Sequence, residues 1–354
     1  MSGGVDSSVA AALLAEQGHD VIGVSMQLYD SAAVDAEGER AFGSCCSLDD
    51  LHDARRVAAA IGIPHYVLNL ERQFNERVVR NFVGEYAAGR TPLPCTHCNS
   101  DLKFTTLLDR ATAFGADAVA TGHYARIERT AGGTYRLTRG KDAAKDQSYF
   151  LFALTQAQLA RAVFPVGDRP KETVRQYAHS RQLPVASKPD SQEICFIPDH
   201  DYAAFVTRHA PGAARPGAVV DEQGRVLARH GGIHRFTVGQ RKGLGLASSP
   251  NGAPRYVLEL RPRDQQVVVG PRSSLERTRL TASSVNWIEA RPAGARRASV
   301  QIRHRHAAAP ATVHAVDGTR AEVVFDEPQI AITPGQAAVF YDGDVVIGGG
   351  WIDN

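Results

Sequence analysis

Two groups of residues in this sequence have types and spacing that could do chemistry: a glycine-flanked row of hydroxyls at the start of the chain, and thiols at separated places. Ser2-Gly3-Gly4-Val5-Asp6-Ser7-Ser8 stands directly before an amphipathic helical pattern. Two glycines permit close backbone approach, and hydroxyls beside helix N-terminal amides make an anion cradle. A Ser/Asp cap on a glycine turn is the bland reading, and the full seven-residue string running straight into a helix argues against it. The string has neither the Gly-Lys-Ser/Thr ending of a Walker loop nor the Gly-x-Gly-x-x-Gly of a dinucleotide fold. The thiols are Cys95 and Cys98 in Thr91-Pro92-Leu93-Pro94-Cys95-Thr96-His97-Cys98-Asn99, Cys195 in Asp190-Ser191-Gln192-Glu193-Ile194-Cys195-Phe196-Ile197, and the adjacent Cys45 and Cys46.

Three roles compete for the thiols. Structural zinc wants four ligands, and there is no second C-x-x-C. A sulfur-passing pair needs one persulfide carrier and one resolving thiol, which Cys98 and Cys195 could supply across a cleft. An iron-sulfur cluster with three cysteine ligands and one open iron could be held by Cys95, Cys98 and Cys195. Cys45 and Cys46 have no basic neighbour to lower their pKa and read as non-catalytic.

Elements must position these groups, and 354 residues suffice for two or three domains. Hydrophobic residues are 43% and charged residues 22%, and no run approaches the roughly 18 apolar residues of a membrane span. With no signal-type segment at the start, a soluble cytoplasmic protein is expected. Five cysteines are odd in number and unevenly spaced, which argues against a secreted disulfide framework. The net charge of +2 is no global nucleic-acid signature. Basic charge is overwhelmingly arginine, so an RNA site must be a local patch.

Helical and strand patterns alternate over the first 125 residues. Val9, Leu13 and Leu14 share a helical face, and Val21, Ile22 and Val24 make a β-branched run. A helix is expected over 49–61, a strand over 65–70, helices over 74–86 and 102–114, and a buried strand over 118–121. Such alternation implies an α/β, doubly wound parallel sheet, in which Cys95 and Cys98 sit on a proline-stiffened loop between helices. From about Pro211 the texture becomes short alternating strands, with turns at 221–224, 261–265, 317–319 and 341–344. The expected domains are therefore 1–208, a small β-rich domain over 209–273 and a β-barrel over 274–354. A basic strand over 296–305, carrying Arg296, Arg297, Arg303 and Arg305, suits phosphates, or is an ordinary exposed barrel strand. Gly239–Gly245 with Arg241 and Lys242 is either a phosphate loop or a flexible turn.

The N-terminal string resembles the SGGxDS pyrophosphate loop of enzymes that split ATP between the α and β phosphates. That resemblance implies that Asp6 helps organise Mg²⁺, while loop hydroxyls and amides hold the leaving pyrophosphate. Such a loop turns from a buried, normally central strand into a helix. Only Met1 precedes Ser2 here, so the expectation is that a short apolar first strand lies upstream of residue 1.

The whole chain resembles the tRNA-specific 2-thiouridylases. The motifs that carry this are SGGVDSS at 2–8, GRTPLPCTHCN at 89–99 with Lys103-Phe104, ATGHYAR at 120–126, KDQSYFL at 145–151, DSQEICFI at 190–197, FTVGQRKGLG at 236–245 and TPGQAAVFY at 333–341. The resemblance implies adenylation by ATP of the 2-oxygen of the wobble uridine, then sulfur delivery from a cysteine persulfide. It makes Cys98 the nucleophile or resolving thiol and Cys195 the persulfide carrier, with a disulfide bond among the family's features. Ser2, Gly3, Gly4, Val5, Asp6, Ser7, Met26 and Gly122 would bind ATP, with Met26 alternatively a core residue. His123 and Tyr124 would line the nucleotide site or merely cap the sheet. Leu93, Pro94 and Cys95 would lie near the target base, Lys145, Asp146 and Gln147 would touch tRNA, and Arg303 and His304 would hold the anticodon arm. Some members carry aspartate at the position of Cys95, and its acid/base role does not transfer to a thiol. The implied partners are tRNA and a persulfide donor protein, with no membrane and a monomeric chain. The competing readings are a non-catalytic nucleotide-gated RNA-binding or sulfur-carrier protein, and another pyrophosphate-loop ligase; neither needs Asp6, Cys98 and Cys195 together.

Overall fold

The computed structural model describes residues 1–29, 48–190, 194–197, 201–246 and 253–354. Cys45 and Cys46 lie outside the described residues, as do Ser191, Gln192 and Glu193. The chain divides into two units, each discontinuous in sequence. The first comprises Met1–Val79, Cys95–His200 and Asp344–Val346, and the second Arg80–Pro94, Asp201–Gly343 and Ile347–Asn354.

In the first unit the helix Val5–Glu16 follows the glycine loop. Val5, Val9, Ala10 and Leu13 are buried with Val174 and Ala178 of the helix Lys171–Ser180, together with Tyr124, Val166 and Leu183. Each large aliphatic side chain so buried contributes about 1.5–3 kcal/mol. Four strands pair in parallel, as βα alternation requires: β1 (Gly23–Gln27) with β2 (His65–Asn69), and β3 (Val119–Ala120) with β6 (Ala162–Val163). Between the last two comes an antiparallel hairpin, β4 (Ala125–Arg129) and β5 (Tyr135–Arg139). Among the described residues no strand joins the two parallel pairs. On the edge of β1, the Met1 ammonium donates to the Val24 carbonyl, and the Ser25 hydroxyl donates to the Met1 carbonyl at 2.6 Å.

The expected loop around Cys95 and Cys98 is helical instead. Pro94–His97 is an α-helical turn, and Cys98–Thr106 continues it as a π-helix. Proline at a first helical position is pre-set for that conformation and loses no hydrogen bond there, so Pro94 starts a helix where the sequence suggested a stiff loop. The wider π turn is held by side chains: the Thr105 hydroxyl donates to Ser100 O at 2.7 Å and the Thr106 hydroxyl to Asp101 O at 3.2 Å. π-Turns are rare and occur frequently at functional sites.

The second unit holds two β structures. A four-stranded sheet has the order β8 (Val226–His230), β7 (Gly217–Asp221), β10 (Gln266–Gly270), β9 (Tyr256–Arg261), with only β7 and β10 parallel. Val219, Val257, Val267 and Val269 form its core with Ile233 and Phe236. A closed six-stranded barrel follows: β11 (Glu276–Trp287), β14 (Ala321–Ile330), β13 (Ala309–Ala315), β12 (Ala295–Gln301), β15 (Ala337–Asp342) and β16 (Val345–Ile352), which returns to β11. The expected basic strand is shorter than 296–305. β12 stops at Gln301 because the Gln301 amide donates to Arg303 O and His304 O at 3.2 and 2.8 Å and folds those residues into a turn.

Residues Arg80–Pro94 belong to this second unit. Phe82 meets Phe205 edge-on at 6.1 Å, and Tyr86 stacks on Tyr202 at 4.7 Å. Farther along, Thr91 N donates to Pro334 O at 2.8 Å, the Gln336 amide donates to Thr91 O and Pro92 O at 3.0 and 3.4 Å, and the hydroxyls of Thr91 and Thr237 meet at 3.3 Å. The FTVGQ and TPGQ turns thus grip the backbone that leads to the cysteines, which gives both motifs a structural role.

Candidate active site

The glycine loop is built around two positions that admit no side chain. Gly3 has φ +70°, and a Cβ there would lie 2.3 Å from Asp50 O; a Cβ on Gly122 would lie 2.6 Å from both Asp6 C and Ser7 N. Gly4 is the N-cap of the first helix and provides no side-chain cap, which leaves cap duty to whatever anion approaches. Within the loop the Ser2 amide donates to Ser7 Oγ at 3.1 Å, and the Ser7 and Ser8 hydroxyls donate to Gly4 O at 3.2 and 2.8 Å. Met26 is half-buried on β1, opposite Leu68.

Asp6 sits inside a charge network. Its carboxylate receives Lys171 Nζ at 2.7 and 2.8 Å and the Tyr124 hydroxyl at 2.8 Å. Burial, then the Asp6 charge, hold the Tyr124 hydroxyl protonated far above its ordinary range. The Lys171 ammonium also touches Asp190 Oδ1 at 2.8 Å, which Arg175 shares at 2.9 Å, while Lys145 takes Asp190 Oδ2 at 2.8 Å. Desolvation raises the Asp190 pKa, but the hydrogen bonds from Lys145 and Lys171 outweigh it and bring the carboxyl down to about 2. Beside this, Lys188 spans Asp50 and Asp53 at 2.6 and 2.7 Å. His123 is buried, its Nδ1 2.7 Å from the Thr121 hydroxyl. Desolvation first, and the Lys103 charge second, keep it neutral.

Cys98 opens the π-helix and is half-buried, while Cys95 is exposed. The next residue, Asn99, is buried and fixed at both ends: its Oδ1 accepts from Lys103 Nζ at 3.0 Å and its Nδ2 donates to Phe150 O at 3.3 Å. Cys195 is half-buried; its carbonyl accepts from the Tyr29 hydroxyl at 3.4 Å, and the neighbouring Phe196 packs edge-on against Phe74 at 5.4 Å. No disulfide joins any two of Cys95, Cys98 and Cys195 in this structure.

The residues expected to touch RNA are placed unevenly. Leu93 and Pro94 are buried, leaving Cys95 as the exposed part of that tip. Lys145 is held by Asp190, and Gln147 pins Tyr124 through both backbone and side chain, at 2.9 and 3.0 Å. Asp146 accepts from Arg139, Gly140 N and both Ser148 donors at 2.8–3.1 Å, so this triplet braces the site from within. In the barrel, Arg296 is paired with Glu289 and Asp342, and Arg297 is paired bidentately with Asp326. Arg303, His304 and Arg305 are exposed. The Arg303 guanidinium donates to Ile330 O at 3.0 Å.

Three family descriptions match the chain in succession: a tRNA methyl transferase HUP domain over residues 1–199, a tRNA methyl transferase PRC-barrel domain over 203–271 and an aminomethyltransferase beta-barrel domain over 277–352. The "tRNA-specific 2-thiouridylase MnmA" of Geotalea uraniireducens is 52% identical over 354 residues, covering 100% of this chain and 94% of that one. Its namesake in Solibacter usitatus is 55% identical over 366 residues, covering 100% and 98%. The same name in Geobacter metallireducens goes with 53% identity, covering 100% and 95%. The chain belongs to the tRNA-specific 2-thiouridylase family.

The residues present suit some of the implied groups. A triphosphate fits the loop: the uncapped helix start and the two close glycines leave backbone donors without intervening side chains. Magnesium fits as well, because that ion takes one or two carboxylates plus substrate phosphates rather than a full protein cage, and Asp6 is a half-exposed carboxylate in the loop. Among the described residues, which include Cys95, Cys98 and Cys195, no three His, Cys, Asp or Glu side chains converge to hold a metal. Also among them, no helix is long and apolar enough to cross a membrane.

Proposed function

We propose that this chain converts the wobble uridine of tRNA to 2-thiouridine by ATP-dependent adenylation followed by sulfur transfer from a cysteine persulfide. The observation that carries this reading is the identity of 52–55% with 2-thiouridylases along the whole chain. In the proposed sequence the loop Ser2–Ser7 takes the β and γ phosphates, with Gly122 behind it and Met26 against the base. The uridine 2-oxygen attacks the α-phosphorus, pyrophosphate leaves, and C2 carries an AMP leaving group in place of an oxygen that cannot depart unaided. Magnesium at Asp6 would neutralise phosphate charge.

A persulfide on Cys195, loaded by a donor protein, attacks C2 with its outer sulfur and expels AMP. The Cys98 thiolate then attacks the Cys195 sulfur, releasing 2-thiouridine and leaving a Cys98–Cys195 disulfide. An external dithiol supplies the two electrons that reopen it. The target base must leave its stack to reach these groups, which a single-stranded anticodon loop makes cheap. Cys95, at the exposed end of the Leu93-Pro94-Cys95 tip, faces the base in this reading; the inward-tied Lys145, Asp146 and Gln147 meet the tRNA only through the wall they brace, and Arg303 and His304 hold its anticodon arm.

The test follows adenylated tRNA and 2-thiouridine separately. Cys195→Ala and Cys98→Ala should each make adenylated tRNA at the wild-type rate and no 2-thiouridine, with persulfide still loading on Cys195 in the Cys98→Ala protein. Full thiolation by Cys195→Ala sinks the assigned role, and wild-type protein that forms no 2-thiouridine with ATP and a persulfide donor sinks the function.

A further inference from the structure

Lys171 is assigned no role by the motifs, yet its ammonium occupies the centre of the charge network. It approaches both oxygens of Asp6 at 2.7 and 2.8 Å and Asp190 Oδ1 at 2.8 Å, with its side chain 12% exposed. Its backbone is anchored as well: the Lys171 amide donates to Asp142 Oδ2 at 2.9 Å, directly after Pro170 at the start of the helix Lys171–Ser180. Lys171 reaches both Asp6 oxygens and the Tyr124 hydroxyl takes a further acceptor site on Oδ1 at 2.8 Å, so a magnesium ion, which needs a carboxylate oxygen at about 2.0–2.1 Å, meets a like-charged ammonium already seated on that carboxylate. A cation that takes Asp6 is therefore repelled by the Lys171 ammonium and favours its release. Asp190 keeps Lys145 and Arg175 whether or not Lys171 stays, so release leaves no bare carboxylate there, and the freed ammonium remains within a side chain's reach of the loop.

We propose that Lys171 is a phosphate-binding residue held in reserve: in the empty site it neutralises Asp6, and when magnesium and ATP enter it exchanges Asp6 for the phosphate oxygens. The inference rests on the nucleotide reading of the loop. Lysine suits the exchange because its charge sits on a flexible stem with three rotatable donors, so it can change partners without moving its backbone.

Equilibrium dialysis with ATP, with and without magnesium, tests the exchange independently of turnover. Lys171→Met should bind magnesium-ATP about 10- to 100-fold more weakly, the range of a lost charge-assisted hydrogen bond, and Lys171→Arg should recover part of it. Asp6→Asn frees the ammonium, so it should bind magnesium-free ATP more tightly than wild type, and the double variant Asp6→Asn/Lys171→Met should lose that gain. Removing the Asp6 charge favours ATP by itself, so the double variant decides: with a merely structural lysine the gain survives the loss of Lys171. Wild-type ATP affinity in Lys171→Met overturns the proposal, as does an Asp6→Asn gain that is absent or survives in the double variant. If Lys171→Met does not fold, the Lys171→Gln and Lys171→Arg proteins carry the same comparison. A wild-type chain that binds no ATP refutes this assignment and the nucleotide reading together. One that binds ATP but thiolates no tRNA refutes the function alone.

Discussion

Gly122→Ala is the smallest change that should separate the nucleotide step from the rest of the chemistry. The added methyl would lie 2.6 Å from Asp6 C and Ser7 N and 2.9 Å from Asp6 Cβ. Carbon contacts settle at about 3.5–4.0 Å, so the first turn of the Val5–Glu16 helix and the Gly122 backbone must part by roughly 1 Å. The two closest clashing atoms are main chain, so no rotamer change relieves the contact. Overpacking of this kind costs about 1–3 kcal/mol, which in a unit of this size lowers Tm by about 2–12 °C. The larger effect should be on chemistry, because a 1 Å displacement of a positioning group can cost about 100-fold in rate. Calorimetry and pyrophosphate release with tRNA measure the two effects on the same protein. Gly84→Ala is the control: Gly84 is exposed in the helix Arg80–Ala87, with nothing within 4 Å of a new Cβ, and should stabilise by about 0.4–1 kcal/mol. The reasoning is refuted if Gly122→Ala releases pyrophosphate at the wild-type rate, or if Gly84→Ala loses as much.

Gln336→Ala removes the donor to Thr91 O and Pro92 O and should destabilise the protein by about 1–3 kcal/mol in urea unfolding, with ATP affinity unchanged. Arg305→Ala should weaken tRNA binding and reduce its salt slope by about 1, whereas Arg297→Ala should leave binding nearly intact because Asp326 already neutralises that guanidinium; equal losses in a filter-binding titration would contradict the pairing. Asp190 is held at about 2 in the folded protein against an ordinary 3.8, so its stabilising contribution is complete above the unfolded value and disappears as pH falls through that interval. Asp190→Asn should therefore show a shallower loss of Tm than wild type between pH 4 and pH 2 in a pH-scanned melt.

Much of the fold is legible because apolar spacing reports which face is buried. The expected helix 49–61 is Leu48–Ile61, with Ala54, Val57 and Ala58 inside, and the four β-region turns each separate consecutive strands. Val21 and Ile22, however, precede β1, which begins at Gly23 where pairing with His65 starts; hydrophobicity alone does not mark where a ladder begins. The π-helix at Cys98 is invisible to spacing, since its extra residue per turn is held by threonine hydroxyls rather than by an apolar stripe. The glycine loop and the C-x-x-C and distant cysteines stand out in the sequence, while Lys171, Asp190 and Arg175 do not. One compositional signal does point there: the chain has six lysines among its 40 basic residues, and Lys103, Lys145, Lys171 and Lys188 each hold a partner around this site. The recruitment of Arg80–Pro94 into the second unit depends on contacts more than a hundred residues away in sequence, which no local pattern encodes.

That recruitment has a consequence for how the protein is made. Phe82, Tyr86 and Thr91 leave the ribosome well before Phe205, Tyr202 and Gln336, their partners within the same unit. The first of those partners follows after roughly 110 further residues, about 5–20 s of synthesis at ordinary elongation rates. During that interval Phe82 and Tyr86, which meet each other edge-on at 5.0 Å, and the Thr91-Pro92 backbone must wait in nascent chain without these later partners. Slower elongation lengthens this exposed period, and expression at low temperature should trade slower synthesis against weaker hydrophobic association. A chain cut near residue 200 and supplied as two pieces would leave the C-terminal piece without its Arg80–Pro94 insert, so the two pieces should be soluble only when produced together.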